Sequence, residues 1–480
     1  MEPTSLPKET KSRFKPSDTE INNAEPFASD CLNRRNEIEN LTTLLANSEP
    51  PLVLAIDAPW GSGKTTFMKM WRGYLSNEFP SWASAYFSAW ETDLSDDPLN
   101  VFLGEINEQL ASKTSGMTLV KWNKAVSLAG KITRRALPAL AKIATYGALD
   151  LPDAGKEIER ALAELSGGIV SDGLETYKAS VSAIKQFKEN LASVLQDIGK
   201  DHPVVVFVDE LDRCRPQYAI TLLERIKHLL SLPGIIFVLG IDRSQLANAI
   251  CGAYGDRFDS ETYLQRFIDL DYRLSFGDSK AFVSKLVTDY GLATFFASRT
   301  NISRPYITNE SENLIDTCAD LASLFGLQLR EVEQLLARVN IVARSTEPSQ
   351  PIYPHLLVLL LALRAKEPSL YSSLTNAKAA TIELLMIITQ ELSKKPISDV
   401  DNIGISLACL ITAISDRNPN DPGIAHVTAR STETTDISAA ERELMSSVVL
   451  RIRAIGAKPS MRIAFDNLIK RIEMAQSFCV

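Results

Sequence analysis

The sequence predicts a three-layer α/β fold, a mainly parallel sheet between two layers of helices, with an all-helical insertion and an all-helical C-terminal domain. Three observations carry this. Short apolar, branched runs alternate with segments of helical period up to about residue 276, the order that parallel strands and crossover helices produce. Over a hundred residues separate the second and third of those runs, far more than one crossover needs. Beyond residue 276 the strand patterns fade, and leucine-rich helical patterns such as LREVEQLLARV and HLLVLLLALRAKEPSLYSSL continue.

Taken in order, residues 1–26 are polar, hold four prolines and show no apolar period, so they are expected to form a mobile arm. FASDCLNRRNEIENLTTLL places Ile38, Leu41, Leu44 and Leu45 at helical spacing, with Asp30 as a cap candidate. Strands are expected at LVLAID (Leu52–Asp57), SAYFSAW, PVVVFVDE, GIIFVLGID and RFIDLDYRL. The domain map that follows is 27–110 with 200–276 for the α/β core, 111–199 for the insertion and 277–480 for the helical C-terminal domain. Ser415–Gly423 and the Thr- and Ser-rich run after it are expected to be a loop.

Composition narrows the function classes. With 480 residues, 45% of them hydrophobic, the chain can bury a large core. A net charge of −8 argues against coating nucleic acid over the whole surface and leaves only local basic patches for such a partner. The six cysteines are scattered without a CxxC pair, so neither a disulfide framework nor a zinc site is indicated. No run of about 20 apolar residues is present, the length a spanning helix needs. Leu356 to Leu363 therefore reads as a core helix, and the expected location is cytoplasmic.

The chemistry concentrates in two motifs. After the first strand comes Ala58-Pro59-Trp60-Gly61-Ser62-Gly63-Lys64-Thr65-Thr66, followed by a helical pattern. A glycine-rich turn between strand and helix lets successive backbone N–H groups face a phosphate chain at the helix's positive end. In such a P-loop, Pro59 to Thr66 line the nucleotide, Lys64 reaches the β- and γ-phosphates, and the Thr65 hydroxyl is a Mg²⁺ ligand. Ala58 stands where the pattern has glycine, which is tolerable if its backbone is ordinary. The second motif, VVVFVDELDR, ends a strand in Asp209, placed to hold Mg²⁺, with Glu210 next as the group that orients or activates water. ATP and Mg²⁺ are the expected ligands. Among the charged residues nearby, Arg266 before the fifth strand and Arg330 at the start of a C-terminal helix lead as candidate γ-phosphate arginines, ahead of Asp212, Arg213, Asp242 and Arg243.

PWGSGKTT, the tryptophan segment YFSAWETDLSDDPL, VVVFVDELDRCRP, IIFVLGIDRSQL and YLQRFIDLDYRL together resemble the KAP family of P-loop NTPases over about residues 27–370. The resemblance implies ATP hydrolysis on an additional-strand sheet, with Asp209 and Glu210 in metal and water duties. Many relatives carry transmembrane helices between the two motifs; this chain does not. Bacterial relatives often act in phage exclusion or wider defence, so an antiviral role is implied too.

Two further stretches are ambiguous. Met117 to Leu149 holds Lys121, Lys124, Lys131, Arg134, Arg135 and Lys142 without an acidic residue. It reads as a solvated helical face on the core, with a membrane surface, nucleic acid or an acidic protein as alternative partners. Trp90 reads as core, with a nucleotide-responsive loop as the alternative. A protein partner or self-association is expected through the helical regions. The leading function is an ATP-hydrolysing switch; the rival is a nucleotide-gated scaffold with negligible hydrolysis.

Overall fold

A computed structural model describes residues 21–95, 97–113, 116–130, 170–200, 202–299, 309–347, 350–376, 381–394, 400–418, 420–433, 437–455 and 459–478. The chain divides into two compact units. One comprises Thr19–Asp30 and Arg34–Ser275; the other includes Cys31–Asn33 and everything from Phe276 onward.

In the first unit, five strands are found among the described residues: β1 Leu52–Asp57, β2 Ala83–Ser88, β3 Val204–Asp209, β4 Ile235–Ile241 and β5 Leu270–Arg273. Their order is β2-β3-β4-β1-β5, and every pair is parallel. An additional strand, β4, thus lies between the strand that feeds the P-loop and the strand that ends in Asp209, as expected for this sheet type. The inner strands β3 and β4 are buried along their whole length, which is why they read as continuous apolar runs rather than alternating ones.

Strand periodicity sorts the side chains onto two faces. Leu54, Ile56, Val205, Phe207, Ile236 and Val238 pack with α1 (Arg35–Ala46) and α2 (Lys64–Glu78) through Ile38, Leu41, Phe67, Met68 and Trp71. Val53, Ala55, Val204, Val206, Val208, Phe237 and Leu239 form the other face. It is covered by the helices Pro98–Leu110, Pro216–Arg225 and Arg243–Tyr254, and by the helical insertion.

That insertion contains the helices Met117–Ala129 and Val170–Gly199. Trp122, Ala125 and Leu128 meet Phe187, Leu191 and Val194 in the same core cluster as the sheet. The Lys121 ammonium is tied to Asp197 at 3.0 Å and to Ser193 at 2.7 Å. Lys131, Arg134, Arg135 and Lys142 of the basic stretch lie outside the described residues.

Several expectations are corrected locally. The arm was expected to extend to residue 26, and residues 1–20 lie outside the described residues. Pro26, however, is buried, its Cβ 2.9 Å from where a Cβ on Gly73 of α2 would sit. Asn77 Nδ2 also donates to the carbonyls of Asn23 and Ala24 at 2.6 and 3.0 Å. Asp30 caps less directly than expected: the helix starts at Arg35, whose N–H donates to Asp30 Oδ2 at 3.1 Å.

The C-terminal unit is helical throughout its described residues. LREVEQLLARV lies in Leu329–Arg344, opened by a reciprocal Gln328–Glu331 capping box. The leucine run lies in Pro354–Lys366, with His355 to Leu363 all buried, and Pro368 starts a new helix. The expected loop is much shorter than read. Asp401–Arg417 stays helical and Gly423–Thr432 is a helix, because Pro422 and Gly423 start a helix rather than interrupt one. Among the described residues no helix is long and apolar enough to cross a membrane.

Candidate nucleotide-binding site

The exit edge of the parallel sheet assembles most of the sequence-predicted residues. Ala58 follows β1 and its N–H donates to Ile241 O at 3.1 Å, extending the β1–β4 ladder by one bond. Its backbone is not left-handed, so the missing first glycine costs nothing there. Gly61 and Gly63 have φ of 79° and 85°, a region open to glycine, and Gly63 caps α2. The loop therefore turns where the sequence supplies glycine, and the α2 N-terminus faces into it.

Lys64 is the second polar element. The residue is 8% exposed, and its ammonium donates to Ala58 O at 2.5 Å and Pro59 O at 3.2 Å. Burial pushes its pKa down, opposed by the nearby Asp212, Asp242 and Asp209 carboxylates. The Ser62 hydroxyl is buried and has no hydrogen-bond partner. Trp60 leans outward, 48% exposed. Its N–H donates to Asp242 Oδ2 at 3.2 Å and its indole to Asp212 Oδ2 at 2.5 Å.

Asp209 ends β3 at 1% exposure. It accepts from Tyr86 Oη at 2.8 Å and from Glu210 N at 2.8 Å. Burial raises its pKa, and these two bonds together with the nearby Thr65 hydroxyl oppose the rise. Beside it, Gly240 of β4 leaves no room for a side chain: a Cβ there would lie 2.8 Å from Asp209 Oδ1 and 2.3 Å from Met68 Sδ. Glu210 takes a left-handed backbone, φ 61°. Its carboxylate accepts from Ser88 Oγ at 3.0 Å and pairs with Arg213 at 2.6 Å.

The donors suit Mg²⁺, which takes one or two protein oxygens together with phosphate oxygens. Thr65 and Asp209 offer a hydroxyl and a carboxylate near each other, and the orphaned Ser62 hydroxyl lies in the loop that leads to them.

The tryptophan segment organises the neighbouring exit. Asp93 accepts from Arg215 N at 3.0 Å and Nε at 3.1 Å, and Thr92 bonds Tyr218 at 2.8 Å. Asp97 caps the helix Pro98–Leu110. Trp90 is not core: it is 53% exposed, with the Arg213 guanidinium 5.7 Å from its ring centre. The strand stops at Ser88, so its side chain falls in the turn beyond the sheet.

The two leading arginines are not brought to this edge of their own unit. Arg266 precedes β5, and Asp269, three residues later, is bonded to both N–H and C=O of Val53 near the start of β1. Six residues of β1, about 20 Å of strand, separate that entry edge from the P-loop. Arg266 is exposed there, lining a cavity of ≈ 350 Å³ with Glu224, Tyr254 and Tyr263. Arg330 belongs to the other unit, exposed in the first turn of its helix with Glu333 as a charged neighbour. Arg243 is engaged by Glu261 at 2.8 Å and Asp271 at 2.7 Å.

Sequence reasoning missed Tyr86, Ser88, Gly240 and Arg273. Tyr86 and Ser88 are two apart on β2, with Ser88 in register with Asp209, so period-two pairing of the two strands could have found them. Arg273 is the arginine that β5 carries to the exit edge, in register with Asp57.

The comparisons agree with the chemistry. The model of the KAP family P-loop domain matches residues 34–345, well over half of the chain. No curated protein matches. Two solved structures align along nearly the whole chain. The Aeropyrum pernix ORC2 protein (ADPNP-ADP complexes) is 11% identical over 97% of each chain, with a TM-score of 0.29. Cdc6p from Pyrobaculum aerophilum is 12% identical over 95% of this chain and 97% of its own, with a TM-score of 0.33. At such scores neither likeness extends any inference to this chain. The family match covers both phosphate-facing motifs and the tryptophan segment between them, and the chain belongs to the KAP family of P-loop NTPases.

Proposed function

We propose that the chain is a Mg²⁺-dependent ATP hydrolase that works as a nucleotide-driven switch. One observation carries the reading: the buried Asp209 carboxylate ends β3 at the exit edge, held by Tyr86 and Glu210 N, with the Thr65 hydroxyl of α2 near enough to act on it and Glu210 as the next residue. Lys64 leaves the Ala58 and Pro59 carbonyls for the β- and γ-phosphate oxygens and neutralises their charge. Thr65 and Asp209 would hold Mg²⁺, which would supply positive charge against that developing on the phosphate oxygens. Tyr86 fixes the orientation of Asp209, and Gly240 gives that carboxylate its space. Glu210 accepts the proton of the attacking water once it turns from Arg213.

Arg266, on the entry edge, can complete a site only in a second copy of the chain, and self-association is proposed for that reason. Arg330 is kept as an alternative finger delivered by the helical unit. Location in the cytoplasm rests on the sequence, which has no run of about 20 apolar residues; an antiviral role rests on the family resemblance and is tested by protection of cells against phage with wild type and Lys64→Ala.

The pairing of Glu210 with both Ser88 and Arg213 favours a second reading, a nucleotide-gated scaffold in which hydrolysis is negligible. Binding of ATP to wild type and Lys64→Ala by calorimetry, beside phosphate release, separates the two. The switch requires tight binding and turnover in wild type and loss of both in Lys64→Ala. Tight binding without turnover selects the scaffold, and equal binding by Lys64→Ala removes both.

A further inference from the structure

Asp212 has no part in the reading above, yet no other carboxylate is joined so closely to the loop. It is 7% exposed. Oδ2 accepts the Trp60 indole at 2.5 Å, while Oδ1 is buried without any hydrogen-bond partner. The backbone N–H of the same tryptophan donates to Asp242 Oδ2 at 3.2 Å. One loop residue is thus held at both ends by carboxylates, one after β3 and one after β4, although half of its surface faces solvent. Of the negative groups acting on Lys64, Asp212 acts most strongly, ahead of Asp242 and Asp209.

A carboxylate with an unpartnered, water-excluded oxygen is stable only while a cation compensates it. Lys64 acts on it through space without pairing with it directly, its ammonium being bonded to the Ala58 and Pro59 carbonyls. A phosphate chain in the loop competes for the same ammonium and adds negative charge in a region that solvent screens poorly. Asp212 then loses its compensation and faces a like charge, and its remaining tie is the indole of Trp60.

We infer that Asp212 is a positioning residue that links phosphate occupancy of the loop to Trp60: with Lys64 drawn to phosphate, the carboxylate swings away and releases the indole. The inference rests on the P-loop being a nucleoside triphosphate site. It assigns Asp212 a cost against binding, whereas a residue that holds metal or phosphate would favour it. The outward face of Trp60 becomes the part of the loop whose freedom reports occupancy.

The test uses the full chain carrying Trp90→Phe, which removes the other exposed tryptophan of this edge, with Mg²⁺ and either ATP, ADP or inorganic tripolyphosphate as probes. In this parent, ATP changes tryptophan emission, and adding Trp60→Phe abolishes the change. Asp212→Asn keeps the size and an acceptor for the indole but removes the charge. It binds ATP at least about threefold more tightly, the scale of a weakened charge-assisted contact, gains less for ADP, and shows a smaller emission response. Trp60→Phe, which deletes the donor instead, tightens ATP in the same direction, so the link stays testable if Asp212→Asn folds poorly. The inference is overturned if Asp212→Asn binds ATP with parental or weaker affinity, if its emission response is unchanged, or if the signal survives Trp60→Phe. Failure of the nucleotide reading looks different: the parent and every variant then show no heat of binding with any probe.

Discussion

Gly240→Ala tests how tightly Gly240 packs against Asp209 and Met68. The new methyl carbon would lie 2.3 Å from Met68 Sδ, 3.3 Å from Met68 Cε and 2.8 Å from Asp209 Oδ1. The Sδ and Oδ1 distances are far inside van der Waals contact and the Cε distance slightly inside it, and neither partner can yield freely. Met68 is 0% exposed, and Asp209 is held by Tyr86 and Glu210 N. Overpacking of this kind costs about 1–3 kcal/mol, and in a unit of this size each kcal/mol lowers Tm by roughly 2–4 °C. A second effect follows at the site: an Asp209 carboxylate displaced from Thr65 loses its metal geometry, so the Mg²⁺ needed for half-maximal activity rises about 10-fold or more. The assay is a thermal melt together with a Mg²⁺ titration of phosphate release. Combining Gly240→Ala with Met68→Ala restores part of the lost stability, because the methyl enters space the sulfur has left. The double variant is then more stable than the sum of the single effects by about 0.5 kcal/mol or more. Unchanged melting and an unchanged Mg²⁺ requirement in Gly240→Ala would refute the reasoning.

Three further expectations are more compact. Tyr86→Phe removes the phenol that orients Asp209 while keeping the ring, so Mg²⁺ dependence weakens about 10-fold, while stability falls by only about 1 kcal/mol; wild-type Mg²⁺ dependence would count against the bond. Ala58→Gly restores the usual motif but brings no conformational benefit, because Ala58 has no left-handed backbone to relieve. It lowers stability by roughly 0.5–1 kcal/mol with nucleotide affinity unchanged, and tighter binding would contradict this. In the C-terminal unit, His355 is buried against Thr317 Oγ1 at 2.6 Å, and burial, with Arg451 in support, lowers its pKa from 6.5 to about 4. Its folded pKa is depressed, so the neutral ring's contribution is present above about 6.5 and is lost as pH falls toward about 4, roughly 3 kcal/mol in all. His355→Gln, which does not titrate, flattens stability across that window in denaturant melts at stepped pH, and an unaltered slope would assign the acid sensitivity elsewhere.

Strand positions were legible because the sheet is parallel and covered on both faces. Leu52–Asp57 was read to the residue, and β3 and β4 fall inside the apolar runs. The P-loop was legible for a related reason: glycines, lysine and threonine are all local to one turn. What escaped was what depends on pairing between distant segments. Ser88 and Tyr86 acquire meaning only through register with β3, and Gly240 only through the approach of β4 to Asp209 and Met68. Arg266 attracted attention by its nearness to a strand, but strand direction decides which end of the sheet a residue occupies, and it precedes β5 where Arg273 ends it. Trp90 reads as core by residue type alone; the end of β2 two residues earlier puts it in solvent beneath Arg213. Ser415 to Gly423 and the Thr- and Ser-rich run after it read as a loop by polar composition, whereas helices run to Arg417 and resume at Gly423.

The most direct test of the central claim is phosphate release by wild type and Glu210→Gln at saturating ATP and Mg²⁺, with ATP binding measured on the same samples. Glu210→Gln keeps the size and the Ser88 contact while losing the base. The account predicts unchanged ATP affinity and a turnover lower by about 10²–10⁴. Equal turnover in the two proteins would contradict it, because Glu210 would then have no role in activating water.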